Sequence, residues 1–441
     1  MPETFDFLTG SCLHDRWVSR RVVRSARVRR NRRRLVALIA GAVVIVLLAG
    51  VAVVVVNLVS LNTGIHRSAI AMPAGTGQTA APGVAQDTGE VNILVMGLDS
   101  RVDENGNPYP QDIYNAIHAE DASVGGYNTN VLLYIHIPAG GGPAVGISIP
   151  RDDYVQYAGN IGGVSHGKIK EAYGRELSAK LPVLLKQGLS KADAYQQARD
   201  AAREAEIRTV SQFLGGVRID HFVEVTMAAF YRVAQAVQPI TVCLNHATAD
   251  PKYSGANFPA GMQQLTASQA MSFVRQRRDT VYRGVFLTDL DRTRRQQAFM
   301  VSLAVKLRNA ATFTNFGTLQ TLIDTAKQYI ALDQGLDLLS LASDMQHFSG
   351  GGISFQTLPV ERFGTIGGES VNIVDVKKIQ ATVAGLLHPP TPTPAPPAPT
   401  ASASPHSTAS TPVNTQPTST GPASYTNSQQ PMQSGAIPCV N

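Results

Sequence analysis

Charge is missing from two long stretches of this 441-residue chain, and cysteine is nearly missing from all of it. The three cysteines stand at positions 12, 243 and 439, and no Cys/His spacing of the metal-binding kind accompanies them. That excludes a zinc-stapled module and a small disulfide scaffold. No N-x-[ST] sequon occurs, so the chain offers no N-glycan acceptor. Asp, Glu, Lys and Arg are all absent from residues 389–441, which instead hold 13 of the 26 prolines together with Thr, Ser and Ala. A segment so composed has little to bury and reads as a disordered or polyproline-like tail. Leu35–Val59 also lacks any charge and is dominated by Val, Leu, Ile, Ala and Gly. At about 25 residues it is long enough to cross a hydrocarbon core, which takes roughly 20, and longer than a signal-peptide core.

Ahead of that stretch, residues 1–34 carry ten arginines against Glu3, Asp6 and Asp15, a balance of +7. The whole chain is +6, so everything after residue 34 sums to about −1, and the high pI belongs to the N-terminus. A basic tail alone could mean nucleic acid. Followed by an apolar span it reads as a cytoplasmic flank under the positive-inside rule, which argues against nucleic acid. The expected organisation is a basic cytoplasmic tail (1–34), a transmembrane anchor (35–59), an extracytoplasmic stalk (60–88), one large domain (89–388) and the disordered tail (389–441). Cys12 would then lie in the cytoplasm, leaving Cys243 and Cys439 as the external pair. Compartment and parity suggest a disulfide between them but do not decide it.

Within the large domain, strands alternate with helices. The stretch V-N-I-L-V-M-G-L-D-S-R from Val91, together with 131–138, 144–152, 222–225, Ile240–Leu244 and 355–360, reads as strands, and 184–214 and Met227–Val237 as helical. Residues 159–176 read as a loop running into a short helix. Thr266 and Gln269 form a capping box for a further helix. This is the pattern of an α/β or α+β sandwich.

The chemistry clusters at element ends. The first strand closes on Gly97, Asp99 and Arg101, and the third on Arg151 between Pro150 and Asp152. Lys168 and Lys170 follow. Arg275 and Arg277 diverge on a helix but point the same way if the chain becomes extended there. In T-D-L-D-R-T-R-R-Q-Q-A-F (288–299), Arg292, Arg295 and Gln296 share one helical face just inside a capped start. Helix starts and guanidiniums both favour anions. Each motif alone also reads as solvated surface charge or a surface ion pair. Together they are too many cations for a domain that is otherwise neutral, unless an anionic ligand compensates them. A lipid-linked pyrophosphate is the economical ligand, with Asp99 helping to hold Mg²⁺.

N-I-L-V-M-G-L-D-S-R, V-G-I-S-I-P-R-D, H-G-K-I-K-E-A-Y-G, F-P-A-G-M-Q-Q-L-T-A-S-Q-A-M-S-F-V-R-Q-R and L-D-R-T-R-R-Q-Q occur in this order over roughly residues 90–305. The chain thereby resembles the LytR–CpsA–Psr family of cell-wall glycopolymer transferases in its actinobacterial form. The resemblance implies a central mixed β-sheet flanked by helices behind one N-terminal transmembrane helix. It implies transfer of a glycopolymer, through its phosphate, from a polyprenyl-pyrophosphate carrier to a peptidoglycan sugar hydroxyl. By the matched positions, Asp99, Arg101, Arg151, Arg275, Arg277 and Arg292 are the implied catalytic set. Lys168, Arg295, Gln296 and Asn128 are the implied substrate contacts, and Asp99 and Asn130 the implied ligands of Mg²⁺ (or Mn²⁺). Where many members carry an Arg and an Asp, this chain has Asn128-Thr129-Asn130, one carboxylate fewer for the metal. Other readings of the same residues are a non-catalytic binder or carrier of the lipid-linked polymer, a pyrophosphate hydrolase, and a membrane-tethered regulator.

Overall fold

The computed structural model describes residues 64–73, 89–119, 121–122, 126–139, 142–282, 286–308, 316–337, 352–389 and 423–441. The expected cytoplasmic tail and anchor lie outside these residues. Among the described residues no helix is long and apolar enough to cross a membrane.

The strands in chain order are β1 (His66–Ser68), β2 (Val91–Leu98), β3 (Thr129–Ile137), β4 (Ala144–Ile149), β5 (Tyr154–Ile161), β6 (Val164–Lys168), β7 (His221–Thr226), β8 (Ile240–Leu244) and β9 (Thr248–Asp250). They continue with β10 (Ala256–Phe258), β11 (Gly261–Leu265), β12 (Ile330–Asp333), β13 (Ile353–Thr357), β14 (Arg362–Ile366), β15 (Glu369–Ile373), β16 (Ser424–Tyr425), β17 (Met432–Gln433) and β18 (Cys439–Val440). The helices are α1 (Gln111–Ala116), α2 (Ala172–Lys186), α3 (Lys191–Phe213), α4 (Met227–Val237), α5 (Ala267–Arg275), α6 (Asp289–Arg308), α7 (Phe316–Tyr329) and α8 (Val376–Leu387).

Eight strands form the main sheet in the order β1-β12-β7-β2-β3-β4-β13-β17. It is mixed: β2 runs parallel to β7 and antiparallel to β3, and β4 runs antiparallel to β3 and parallel to β13. Side chains alternate between its faces. Leu132, Tyr134, Leu94 and Met96 enter one core with Ile207 and Val210 of α3 and Ile379 of α8. Leu133 and Phe355 enter the other, with residues of α4, α5 and α6. The expected sandwich, a central mixed sheet with helices on both faces, is what the chain builds. A second sheet, β11-β8-β18-β16, lies beside it.

Three expectations need correction. Residues 66–68, assigned to the stalk, pair with β12 as the edge strand β1; three residues are too few to show a period. Residues 159–168, read as loop, are the end of β5, the turn and β6 of a hairpin, whose turn uses Gly162 and Gly163 at φ 57° and 89°, the left-handed region that glycine tolerates. Most consequentially, the end of the uncharged tail is folded. Residues 423–441 supply β16, β17 and β18, and Met432 and Val440 are fully buried. Composition averaged over 389–441 hid a short segment that a disulfide and two sheets hold. Cys243 and Cys439 are joined, which settles the pairing the sequence left open.

Candidate anion site at one end of the sheet

The strand directions bring the C-terminal ends of β2 and β4 and the N-terminal end of β3 to the same edge. Gly97 lets β3 approach closely there, since a Cβ on it would stand 2.8 Å from Val131 Cβ. Asp99 follows. Its amide donates to the Asn128 carbonyl at 2.9 Å, and its carboxylate pairs with Arg101. Arg101 also reaches Met227 Sδ at 2.9 Å.

At the end of β4, Arg151 is buried and bridges three elements. Nη1 donates to Asn130 Oδ1 at 2.6 Å and Nη2 to Asp289 Oδ1 at 3.1 Å, while Nε lies 3.5 Å from Asp152. Asp289 opens α6, and its second oxygen accepts from Arg292 Nη2 at 3.0 Å. Lys170 pairs with Asp152 at 2.6 Å. Asp153, next in sequence, is fully buried and takes a bond from Asn372 at 2.9 Å. Burial pushes its carboxyl well up, and Asp152 and Asp289 add to that push. Burial thus disfavours a negative charge on Asp153.

The capping box at Thr266 and Gln269 starts α5. The helix ends at Arg275, and Gln276 is extended (φ −66°, ψ 129°), so Arg275 and Arg277 project to the same side while Gln276 is buried. Arg275 donates to the Ile117 carbonyl. Burial lowers its affinity for the proton, and Arg101 acts in the same direction, with Asp99 opposing. Burial also lowers Arg292, to about 10; Asp289 opposes this, and Arg151 and Arg277 reinforce it. Each guanidinium thus feels another at close range.

Of the predicted residues, Asp99, Arg101, Asn130, Arg151, Arg275, Arg277 and Arg292 gather at this edge. Asn128 contributes its backbone carbonyl. Lys168 stands aside, paired with Glu369 at 2.6 Å. Arg295 does not face the ligand side. It is fully buried, with Nε on the Asn441 carbonyl and Nη1 on Gln276 Oε1, both at 2.6 Å. Gln296 reaches back to the Val274 carbonyl at 3.4 Å. The helical face was correctly drawn, but residues far along the chain cover most of it. Asp289 and Lys170 were missed as site residues. Asp289 stands three residues before Arg292, the spacing at which helical side chains meet, and that was the available signal.

Asp99 keeps one carboxylate oxygen beside Arg101 for a divalent cation, whereas Arg151 occupies the Asn130 oxygen and both oxygens of Asp152 and of Asp289 are paired. Among the described residues no group of three or more His, Cys, Asp or Glu is arranged to hold a metal. A magnesium ion would fit only if most of its oxygens came from phosphate and water.

A buried edge with arginines from four elements, on a mixed sheet between two helical layers, belongs to a class already suggested by the motifs. The LytR_cpsA_psr family model matches residues 60–386, and the chain belongs to that family. It is 37% identical over 323 residues to the cell wall biosynthesis protein LcpA of Corynebacterium glutamicum, a match covering 73% of this chain and 60% of that protein. A second protein of that bacterium, named as a probable cell wall biosynthesis protein, LcpB, is 27% identical over 311 residues, covering 70% and 63%. The match therefore spans less than two thirds of the length of either relative. Among solved structures, the LytR-Csp2A-Psr enzyme from Actinomyces oris is similar at 19% identity and a TM-score of 0.45, covering 73% of this chain and 94% of that one.

Proposed function

We propose that this protein moves a glycopolymer, through its phosphate, from a polyprenyl-pyrophosphate carrier onto a sugar hydroxyl of peptidoglycan. One observation carries the reading. Arg101, Arg151, Arg275, Arg277, Arg292 and Lys170 meet with three carboxylates, Asp99, Asp152 and Asp289. That excess of cation, with Arg151 and Arg292 buried and Arg277 exposed, favours an anion at this edge, and guanidinium matches phosphoryl oxygens in shape. The acceptor hydroxyl would attack the sugar-proximal phosphorus, and polyprenyl phosphate would leave. Charge growing on the phosphoryl oxygens and the leaving group would fall on Arg151, Arg275 and Arg292, which are already fixed and so reorganise little. Asp99 would help hold a Mg²⁺ ion, which would supply further neutralisation of the phosphoryl oxygens. The uncharged span at 35–59 behind ten arginines supports a single-pass membrane protein with the domain outside.

Asn130 gives a second reading, a carrier that binds the lipid-linked polymer without chemistry, because its oxygen is spent on Arg151. One assay separates the two. The chain in detergent, with Mg²⁺, a polyprenyl-pyrophosphate sugar and peptidoglycan fragments, is followed by mass spectrometry. The transferase yields polyprenyl phosphate and sugar joined to the fragment through phosphate. Arg292→Ala and Arg275→Ala each lower that yield by well over tenfold, because a charge-assisted bond contributes about 1.5–3 kcal/mol. Lipid bound but unchanged would overturn the transferase in favour of the carrier, and lipid cleaved regardless of acceptor would mean a hydrolase.

A further inference from the structure

Gln276 lies between the two cations that the end of α5 gives to the site, and it is fully buried. The chain is extended there, so whatever holds Gln276 inward aims Arg275 and Arg277 outward. Three bonds hold its side chain. Nε2 donates to Thr248 Oγ1 at 2.6 Å and to the Arg278 carbonyl at 2.9 Å, and Oε1 accepts from Arg295 Nη1 at 2.6 Å.

Arg295 is in turn held by the far end of the chain, through Nε on the Asn441 carbonyl at 2.6 Å. Its neighbour Arg294 grips the same segment, donating to the carbonyls of Asn427, Ser428 and Gln430. That segment is anchored independently. Cys439 is bonded to Cys243, and β18 runs along β8. The Asn245 amide donates to the Val440 carbonyl at 2.8 Å, and β17 pairs with β13. It lies beyond residue 386, where the family match ends.

We propose that residues 423–441 are a strap that positions Arg275 and Arg277 through Arg295 and Gln276. Arg295 and Gln276 are then positioning residues: neither faces the ligand, and both fix the side chains that do. The consequence for anion binding rests on the function proposed above. The mechanical coupling does not.

Hydrogen exchange and calorimetry on the full chain in detergent test the idea, with inorganic pyrophosphate as the probe. In Arg295→Gln, exchange in peptides spanning 275–282 should rise at least tenfold. Exchange in α3 should stay unchanged, and pyrophosphate affinity should fall about tenfold well below the melting temperature. Arg295→Lys should recover part of both. Reducing the Cys243–Cys439 bond in the unsubstituted chain is the second arm, since it loosens the strap without disturbing a buried charge. It should raise exchange in 275–282 as well as in 423–441. A folded Arg295→Gln chain with native exchange in 275–282 overturns the proposal, and so does a reduced chain whose exchange rises only within 423–441. If the unsubstituted chain ignores pyrophosphate, the functional reading fails, and the exchange data still decide the coupling.

Discussion

Arg292 and Arg295 stand one helical turn apart on α6 and have opposite fates. Arg292 joins Asp289 and the site, and Arg295 is spent on Gln276 and Asn441. Glu206 offers a cleaner test at this scale. It is fully buried on α3, accepts the Tyr173 amide at 2.9 Å and lies against the Thr129 hydroxyl. Burial raises its pKa from the usual carboxylate range to about 8, with Tyr173 and Thr129 opposing. Between roughly pH 4.5 and 8 the folded chain therefore keeps a proton that the unfolded chain releases. Raising the pH through that window favours unfolding, and this contribution levels off above 8. Glu206→Gln should remove that part of the slope, as chemical denaturation at several pH values would show. Parallel pH profiles for both proteins would sink the assignment. Asp99, Arg151, Arg275 and Arg292 could be picked out in the sequence because each ends or begins an element. Arg295 could not be told from Arg292, because its partners lie in residues 276 and 441.

At the scale of elements, α3 is legible as a helix from its spacing, but nothing in that spacing marks Arg199, Arg203 and Glu206 as fully buried. Ala198 and Ala202 pack with Tyr173 and Leu177 of α2, and Ala194 is fully buried. Partners from elsewhere make the burial tolerable. Arg199 meets Glu104 at 2.8 Å and also pairs with Glu224. Arg203 meets Glu224 at 2.9 Å and Glu104 at 3.2 Å. Glu224 lies on β7, and Glu104 on the loop that carries Arg101 away from β2. Periodicity records which residues share a face; it does not record that distant carboxylates wait opposite. By contrast, β8 and α4 run as expected, Ile240–Leu244 and Met227–Val237, because apolar period and capping agree there. Burial pushes the Glu224 carboxyl up, but Arg199 and Arg203 overcome this and hold it at about 2. Glu224→Gln leaves Arg199 and Arg203 sharing Glu104 as their one fully buried carboxylate, with the partly exposed Asp200 still on Arg203, a loss of about 3–5 kcal/mol. Urea denaturation measures it, and a change under 1 kcal/mol would mean that the four charges do not act together.

At the scale of the whole molecule, the question is where the folded unit ends. Composition draws the line at His388, beyond which the prolines gather and no Asp, Glu, Lys or Arg occurs. The structure carries the fold to residue 441, returning three short strands and a disulfide across 196 residues of sequence. Closing a loop of that size contributes up to about 5 kcal/mol by restricting the unfolded chain. The segment also supplies the carbonyls that satisfy Arg294 and Arg295, and burial already lowers both guanidiniums to about 10. Removing those carbonyls leaves Arg294 with Gln297 and Arg295 with Gln276, at a cost of about 1–3 kcal/mol each. A chain ending at residue 388 keeps the whole family match and the residues that line the proposed site. It should nonetheless melt roughly 10 °C or more below the full chain, given about 2–4 °C per kcal/mol for domains of 150–250 residues. Calorimetry of the two chains under non-reducing conditions makes the comparison. Equal melting temperatures would place the boundary back at His388 and make the C-terminal strands dispensable to the fold.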